Sequence, residues 1–198
     1  MRYHSVVKVI IASVAIVCAT AQSGRAAEPD FTIELGKRVG AITGKSTLTQ
    51  LKEAYGAKNV KSTDLPGPEG TTFKGAIIFP GGEREMHVIW NPEKEGREVF
   101  DVLLVGKAWV IGGKLRAGAS VAEVEEANGA AFTISGFEWD LGGYADFKGG
   151  KLQGNLMVRF ETRAEVAESI MGDVQVSSRS KALLAAKPVV SEIGVMFR

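Results

Sequence analysis

Thr47-Leu48-Thr49-Gln50-Leu51-Lys52-Glu53-Ala54-Tyr55-Gly56 and Ser120-Val121-Ala122-Glu123-Val124-Glu125-Glu126-Ala127-Asn128-Gly129 are two versions of one phrase. They lie 73 positions apart, and the pairs Thr47/Ser120, Gln50/Glu123, Leu51/Val124, Ala54/Ala127 and Gly56/Gly129 all keep that offset. A hydroxyl residue followed three positions later by Gln or Glu is a capping box, in which each side chain takes a backbone N–H that the first helical turn leaves unpaired. Leu48, Leu51 and Ala54 share one helical face, as do Val121, Val124 and Ala127. A glycine then stops each helix. The spacing predicts two short helices at matching places in two copies of one unit.

The flanks read as strands. In the first copy an edge strand is expected at residues 31–35, a turn-rich stretch at 64–70, and strands at 71–79, 85–90 and 99–105. Met86, Val88 and Trp90 alternate with His87 and Ile89, which gives one inward and one outward face. Residues 91–96 look like a polar hairpin loop. In the second copy strands are expected at 132–134, 137–141 and 151–160, with a closing strand through Ile193, Val195 and Phe197. Short helices are expected within 163–171 and 180–187, the latter ended by Pro188. The expected fold is α+β: two tandem helix-plus-antiparallel-sheet units, residues 27–110 and 111–198.

Residues 1–26 read as a secretory signal peptide. Arg2, His4 and Lys8 make a basic start, and an apolar run from Val9 to Cys18 follows. That run is shorter than the ~20 apolar residues a bilayer demands. Ala19-Thr20-Ala21 and Gly24-Arg25-Ala26 are the two candidate cleavage sites. Cys18 lacks the small preceding residue of a lipid-attachment site, because Val17 stands there. Cleavage removes the chain's one cysteine and one of its two histidines, leaving His87. A secreted chain without cysteine must rely on its core, and this composition suits a bacterial periplasm better than a disulfide-stapled extracellular domain. The 24 basic and 23 acidic residues nearly balance, so there is no electrostatic footprint for nucleic acid. No later stretch is expected to span a membrane.

Gly44-Lys45-Ser46-Thr47 resembles the end of a phosphate-binding loop, but that motif needs a glycine at the position of Val39. The matching stretch Ala117-Gly118-Ala119-Ser120 has no lysine. Helix capping accounts for the same residues. With His87 alone, neither a transition-metal site nor a cofactor is expected. A Ser-His-Asp triad through His87 is formally open, yet no Gly-x-Ser-x-Gly elbow frames a serine. The carboxylates Glu83, Glu85, Asp101, Glu138, Asp140 and Asp146 could supply an acid/base pair only if two flank one cleft.

The run Gly136-Phe137-Glu138-Trp139-Asp140-Leu141-Gly142-Gly143-Tyr144 is rich in aromatics and glycine. Together with Trp90 and Trp109 it offers anchors for a protein partner. Equally, Phe137, Trp139 and Leu141 sharing one strand face would fill a core. Tyr144, beside a glycine turn, is the best candidate for exposure.

The capped helix Thr/Ser-x-x-Gln/Glu-Leu/Val with its terminal glycine resembles the helical start of the superfamily that contains the outer-membrane assembly lipoproteins and the β-lactamase inhibitory protein. The pattern Gly136-Phe137-x-Trp139-Asp140-x-Gly142-Gly143 is similar to one in secreted proteins of proteobacteria. The resemblance covers most of residues 36–198 and implies a binding or inhibitory module with an aromatic-lined sheet surface. The expectation is a periplasmic, non-enzymatic module that recognises an envelope or secreted protein through Tyr144, Trp139, Trp109 and Trp90. The alternative is a small envelope hydrolase using paired carboxylates.

Overall fold

The computed structural model describes residues 30–67, 70–94 and 97–197; the signal-peptide reading lies outside them. The chain opens with a small meander, β1 (Ile33–Glu34), β2 (Arg38–Val39) and β3 (Ile42–Thr43). Helix α1 (Leu48–Tyr55) follows, then β4 (Val60–Pro66), β5 (Thr72–Ile78), β6 (Met86–Trp90) and β7 (Val99–Leu104). Next come α2 (Val121–Asn128), β8 (Thr133–Ser135), β9 (Ala145–Asp146), β10 (Leu156–Glu161), β11 (Gln175–Ser177), α3 (Lys181–Ala186) and β12 (Val189–Met196).

Both capping boxes form. The Thr47 hydroxyl accepts from the Gln50 N–H while the Gln50 carbonyl oxygen Oε1 accepts from the Thr47 N–H, and Ser120 and Glu123 do the same. Leu51 and Val124 are buried at equivalent positions, and so are Ile42 and Leu115. Tyr55 and Asn128, also 73 positions apart, each spend a buried polar group on nearby backbone. The Tyr55 hydroxyl accepts from the Ala41 N–H, and Asn128 Oδ1 accepts from the Leu152 N–H. Helix-level repetition is therefore real.

The strands do not follow it into two separate units, and the expected tandem α+β arrangement is overturned. The described residues are mostly β: twelve strands in three antiparallel sheets, with three α-helices of only 8, 8 and 6 residues. The largest sheet has the order β10-β12-β7-β6-β5-β4. Four of its strands come from residues 27–110 and two from 111–198, and β12 pairs directly with β7 through Gly194↔Leu103, Val195↔Val102 and Met196↔Asp101. The strands β8, β9 and β11 make a separate small sheet, tied to β10 by the Tyr144↔Arg159 bridge. Hydrophobic alternation marks strands but not their partners, so the sequence could not show that strands from both halves share one sheet.

Alternation does set which face is core. Ile78, Met86, Val88, Val102, Leu104, Leu156, Val158, Ile193 and Val195 point inward and join Leu51, Val124 and Leu183 of the helices in one continuous core. A bulge opposite Ile89 and Trp90 inserts Phe100 as an extra residue, so Val99 stays inward while Asp101 joins the outer face opposite Ile89. Several segments depart from expectation. The strand expected at 151–160 begins only at Leu156, and within 163–171 only a three-residue 3-10 turn, Glu168–Ile170, forms. Residues 60–66 form a strand despite their polar sequence, because β5 pairs along their whole length. Residues 137–141 form a bent turn rather than a strand: Glu138 sits at φ 62 and Leu141 is 58 % exposed. No helix among the described residues is long and apolar enough to cross a membrane.

Candidate binding surface on the outer sheet face

The outer face of the six-stranded sheet gathers Ile77, His87, Ile89, Leu103, Asp101, Met157, Arg159, Glu192 and Met196 by register alone. Directly paired residues in an antiparallel sheet point to the same side. An antiparallel sheet with one solvated face normally alternates apolar-in and polar-out. Here Ile77, Leu103, Met157 and Met196 are half-buried on the outside.

At one end of this face the 136–144 loop folds back on β10. Gly143 donates to the Ser135 carbonyl and accepts from the Phe160 N–H. Its φ of +83° and the 2.1 Å approach of the Phe160 carbonyl to any added Cβ leave room for glycine alone. That docking brings Tyr144 beside Arg159, whose guanidinium lies 5.2 Å from the ring centroid while its Nε donates to the Gly142 carbonyl at 3.0 Å. The loop and strand together form a cleft of about 570 Å³ that Glu138, Trp139, Arg159, Glu161 and Glu192 help to line. The Trp139 indole N–H donates to the Gly136 carbonyl at 2.8 Å, which fixes the ring half-buried at the rim.

The four aromatics named from sequence separate cleanly. Trp139 lines this cleft and Tyr144 packs against Arg159 beside it, both half-buried. Trp90 and Trp109 are core residues, 6 % and 2 % exposed. Their indole N–H groups donate to the Ser46 and Glu85 carbonyls at 2.9 and 3.2 Å. Burial removes both from any surface contact. Phe137, expected on a strand face with Trp139 and Leu141, is buried by itself, because the turn breaks the alternation.

The acidic residues behave differently from one another. Glu85 receives a 2.6 Å contact from His87 Nε2 and accepts from the Gly81 N–H. Burial opposes its ionisation, but these two partners prevail and hold its pKa below the usual glutamate value. Asp101 is 3 % exposed, and its Oδ1 has no hydrogen-bond partner. Burial pushes its carboxyl up to about 6; Glu192 adds to the rise and the Val102 N–H partly offsets it. Burial likewise raises the Tyr144 hydroxyl, helped by the charge on Glu192.

Glu161, Glu192 and Arg159 escaped notice in the sequence. Their signal was present: Arg159 and Glu161 flank Phe160 at outward positions of an alternating strand, and Glu192 stands beside Ile193. Lys45 and Ser46 serve the helix entry, since the Ser46 hydroxyl accepts from the Thr43 N–H. Among the described residues no three His, Cys, Asp or Glu side chains are grouped to hold a metal ion.

No family model, curated protein or solved structure matches the chain. Any functional reading therefore rests on the geometry of this face and on the helix motif.

Proposed function

We propose that this chain is a non-enzymatic, inhibitor-like binding module of the bacterial cell envelope that recognises a protein partner on the outer face of its six-stranded sheet. The observation that carries the reading is the set of half-buried apolar side chains Ile77, Leu103, Met157 and Met196 on the outer face of the six-stranded sheet. Apolar side chains on the side of an antiparallel sheet that is ordinarily polar fit a surface that a partner covers. Tyr144 and Trp139 add aromatic anchors at one end, of the kind that dominates interface energetics. The periplasmic location rests on the leader read from sequence, and the inhibitor-like character on the helix resemblance.

A carboxylate hydrolase would use the cleft where Glu138, Glu161 and Glu192 meet. Binding is preferred because Asp101, the carboxyl that burial raises, is enclosed in the sheet and does not line that cleft.

The test is quantitative recovery of crosslinked partner from cells with the wild-type chain and with Leu103→Asp, Tyr144→Ala and Leu184→Ala, each checked for a native melt. Leu103 and Tyr144 variants should lose the same partner, and Leu184→Ala, on α3 away from the sheet face, should keep it. Equal recovery from all three would overturn the assignment of the face.

A further inference from the structure

Asp101 combines three features that solvated acids lack. It is almost wholly buried, and its Oδ1 is left without a hydrogen-bond partner, an arrangement that folded proteins rarely tolerate without a reason. Its carboxylate also lies directly over the backbone of Gly194 on β12, where an added Cβ would stand 2.8 and 2.9 Å from the two oxygens. The same added Cβ would be 2.9 Å from Met157 Cε. The methyl of a half-buried methionine is therefore part of the cover over this site, and methionine, with three rotatable bonds, is easily displaced.

Charge around the site points one way. Glu192 interacts with Asp101 from the neighbouring strand, and Glu138 and Glu161 line the adjoining cleft. Among the described residues Arg159 is the only cation lining that cleft, and it is committed to the Gly142 carbonyl and the Tyr144 ring. An unpaired carboxylate beneath an apolar rim, in a locally negative field, fits a guanidinium or ammonium group carried on an apolar stem.

Resting on the binding-module reading above, we infer that the partner docks by inserting a basic side chain past Met157 to pair with Asp101 Oδ1. The apolar part of that side chain would lie against Leu103, Met157 and Met196. The glycine at 194 keeps the backbone low enough for the carboxylate to occupy the floor of the site.

The test uses the full chain labelled at its methionine methyls and titrated with two probes, the tripeptides acetyl-Leu-Arg-Leu-amide and acetyl-Leu-citrulline-Leu-amide. Citrulline keeps the shape of arginine and removes its charge. Near neutral pH the arginine peptide should shift the Met157 and Met196 methyl signals and bind about tenfold more tightly than the citrulline peptide. Asp101→Asn, nearly isosteric and expected to fold, should abolish that preference. Met157→Ile, with a stiffer side chain at the entrance, should weaken the arginine peptide without restoring citrulline binding. Equal binding of both peptides at these methyls would overturn the cation claim while leaving the docking face intact. A preference for arginine that survives Asp101→Asn would place the cation in the neighbouring cleft and overturn the assignment to Asp101. Absence of any shift at Met157 with either peptide would overturn the site, and crosslinking from the sheet face would then decide the broader reading separately.

Discussion

A carboxylate enclosed between Ile89, Met196 and Gly194 has lost its water without gaining a full set of partners. The folded chain therefore binds the Asp101 proton more tightly than the unfolded chain does, with a pKa near 6 against an ordinary 3.8. Stability is complete below about pH 4 and falls as pH rises through 6, by roughly 3 kcal/mol once the group is ionised in both states. Glu192 is the charged neighbour that steepens this loss. Asp101→Asn should flatten the pH dependence of stability between about pH 4 and 7 and raise the midpoint of urea unfolding at neutral pH. An unchanged pH profile would show that the carboxylate is not enclosed. The aromatics give a second prediction at this scale. Trp90→Ala removes a core ring and strands the Ser46 carbonyl, so about 3–5 kcal/mol should be lost. Tyr144→Ala should cost roughly 1–2 kcal/mol in folding and act mainly on partner binding. Denaturant melts alongside binding curves separate the two.

Secondary-structure elements were the most legible feature of the sequence. Both helices lie where their capping boxes placed them, because a cap is a local contract between residues three positions apart. Thr47→Ala and Ser120→Ala should each cost about 1 kcal/mol by removing the acceptor that satisfies a first-turn N–H; chemical denaturation reads this directly. Strands 72–78, 86–90 and 99–104 were equally legible, the second from alternation, the third from its apolar β-branched run and the first from the turn residues that end it. The polar strand 60–66 was not, because it gains strand form from pairing with β5 rather than from its own residues. The 136–144 loop misled for the opposite reason. Its aromatics alternate as a strand would, but Glu138 and Gly143 take positive φ and turn the chain. Gly143→Ala combines that backbone penalty with a clash against the Phe160 carbonyl, so it should destabilise by well over about 1 kcal/mol and disorder the cleft. Retention of a native melt and of partner binding would refute that view of the loop.

For the whole molecule the decisive contact is the pairing of β12 with β7, which joins residues near the C-terminus to the middle of the chain. No periodicity announces such a contact, since register between distant strands is set by packing in three dimensions. This is why two helix motifs suggested two independent units when the strands close into a shared sheet. The same contact fixes the outer face: it brings Asp101, Gly194 and Met157 side by side from three strands of both halves. Residues 27–110 alone would leave β7 as an unpaired edge, so that fragment should show no cooperative melt, whereas residues 27–198 should melt in one transition. Two separable transitions would contradict a single shared sheet.

The most direct test of the central claim is residue-resolved photocrosslinking in cells, with a benzophenone amino acid placed in turn at Ile77, Leu103, Met157 and, as control, Leu184. The binding account predicts one envelope protein captured from the three sheet positions and not from Leu184. Capture that is absent from the sheet face, or equal at all four positions, would contradict it.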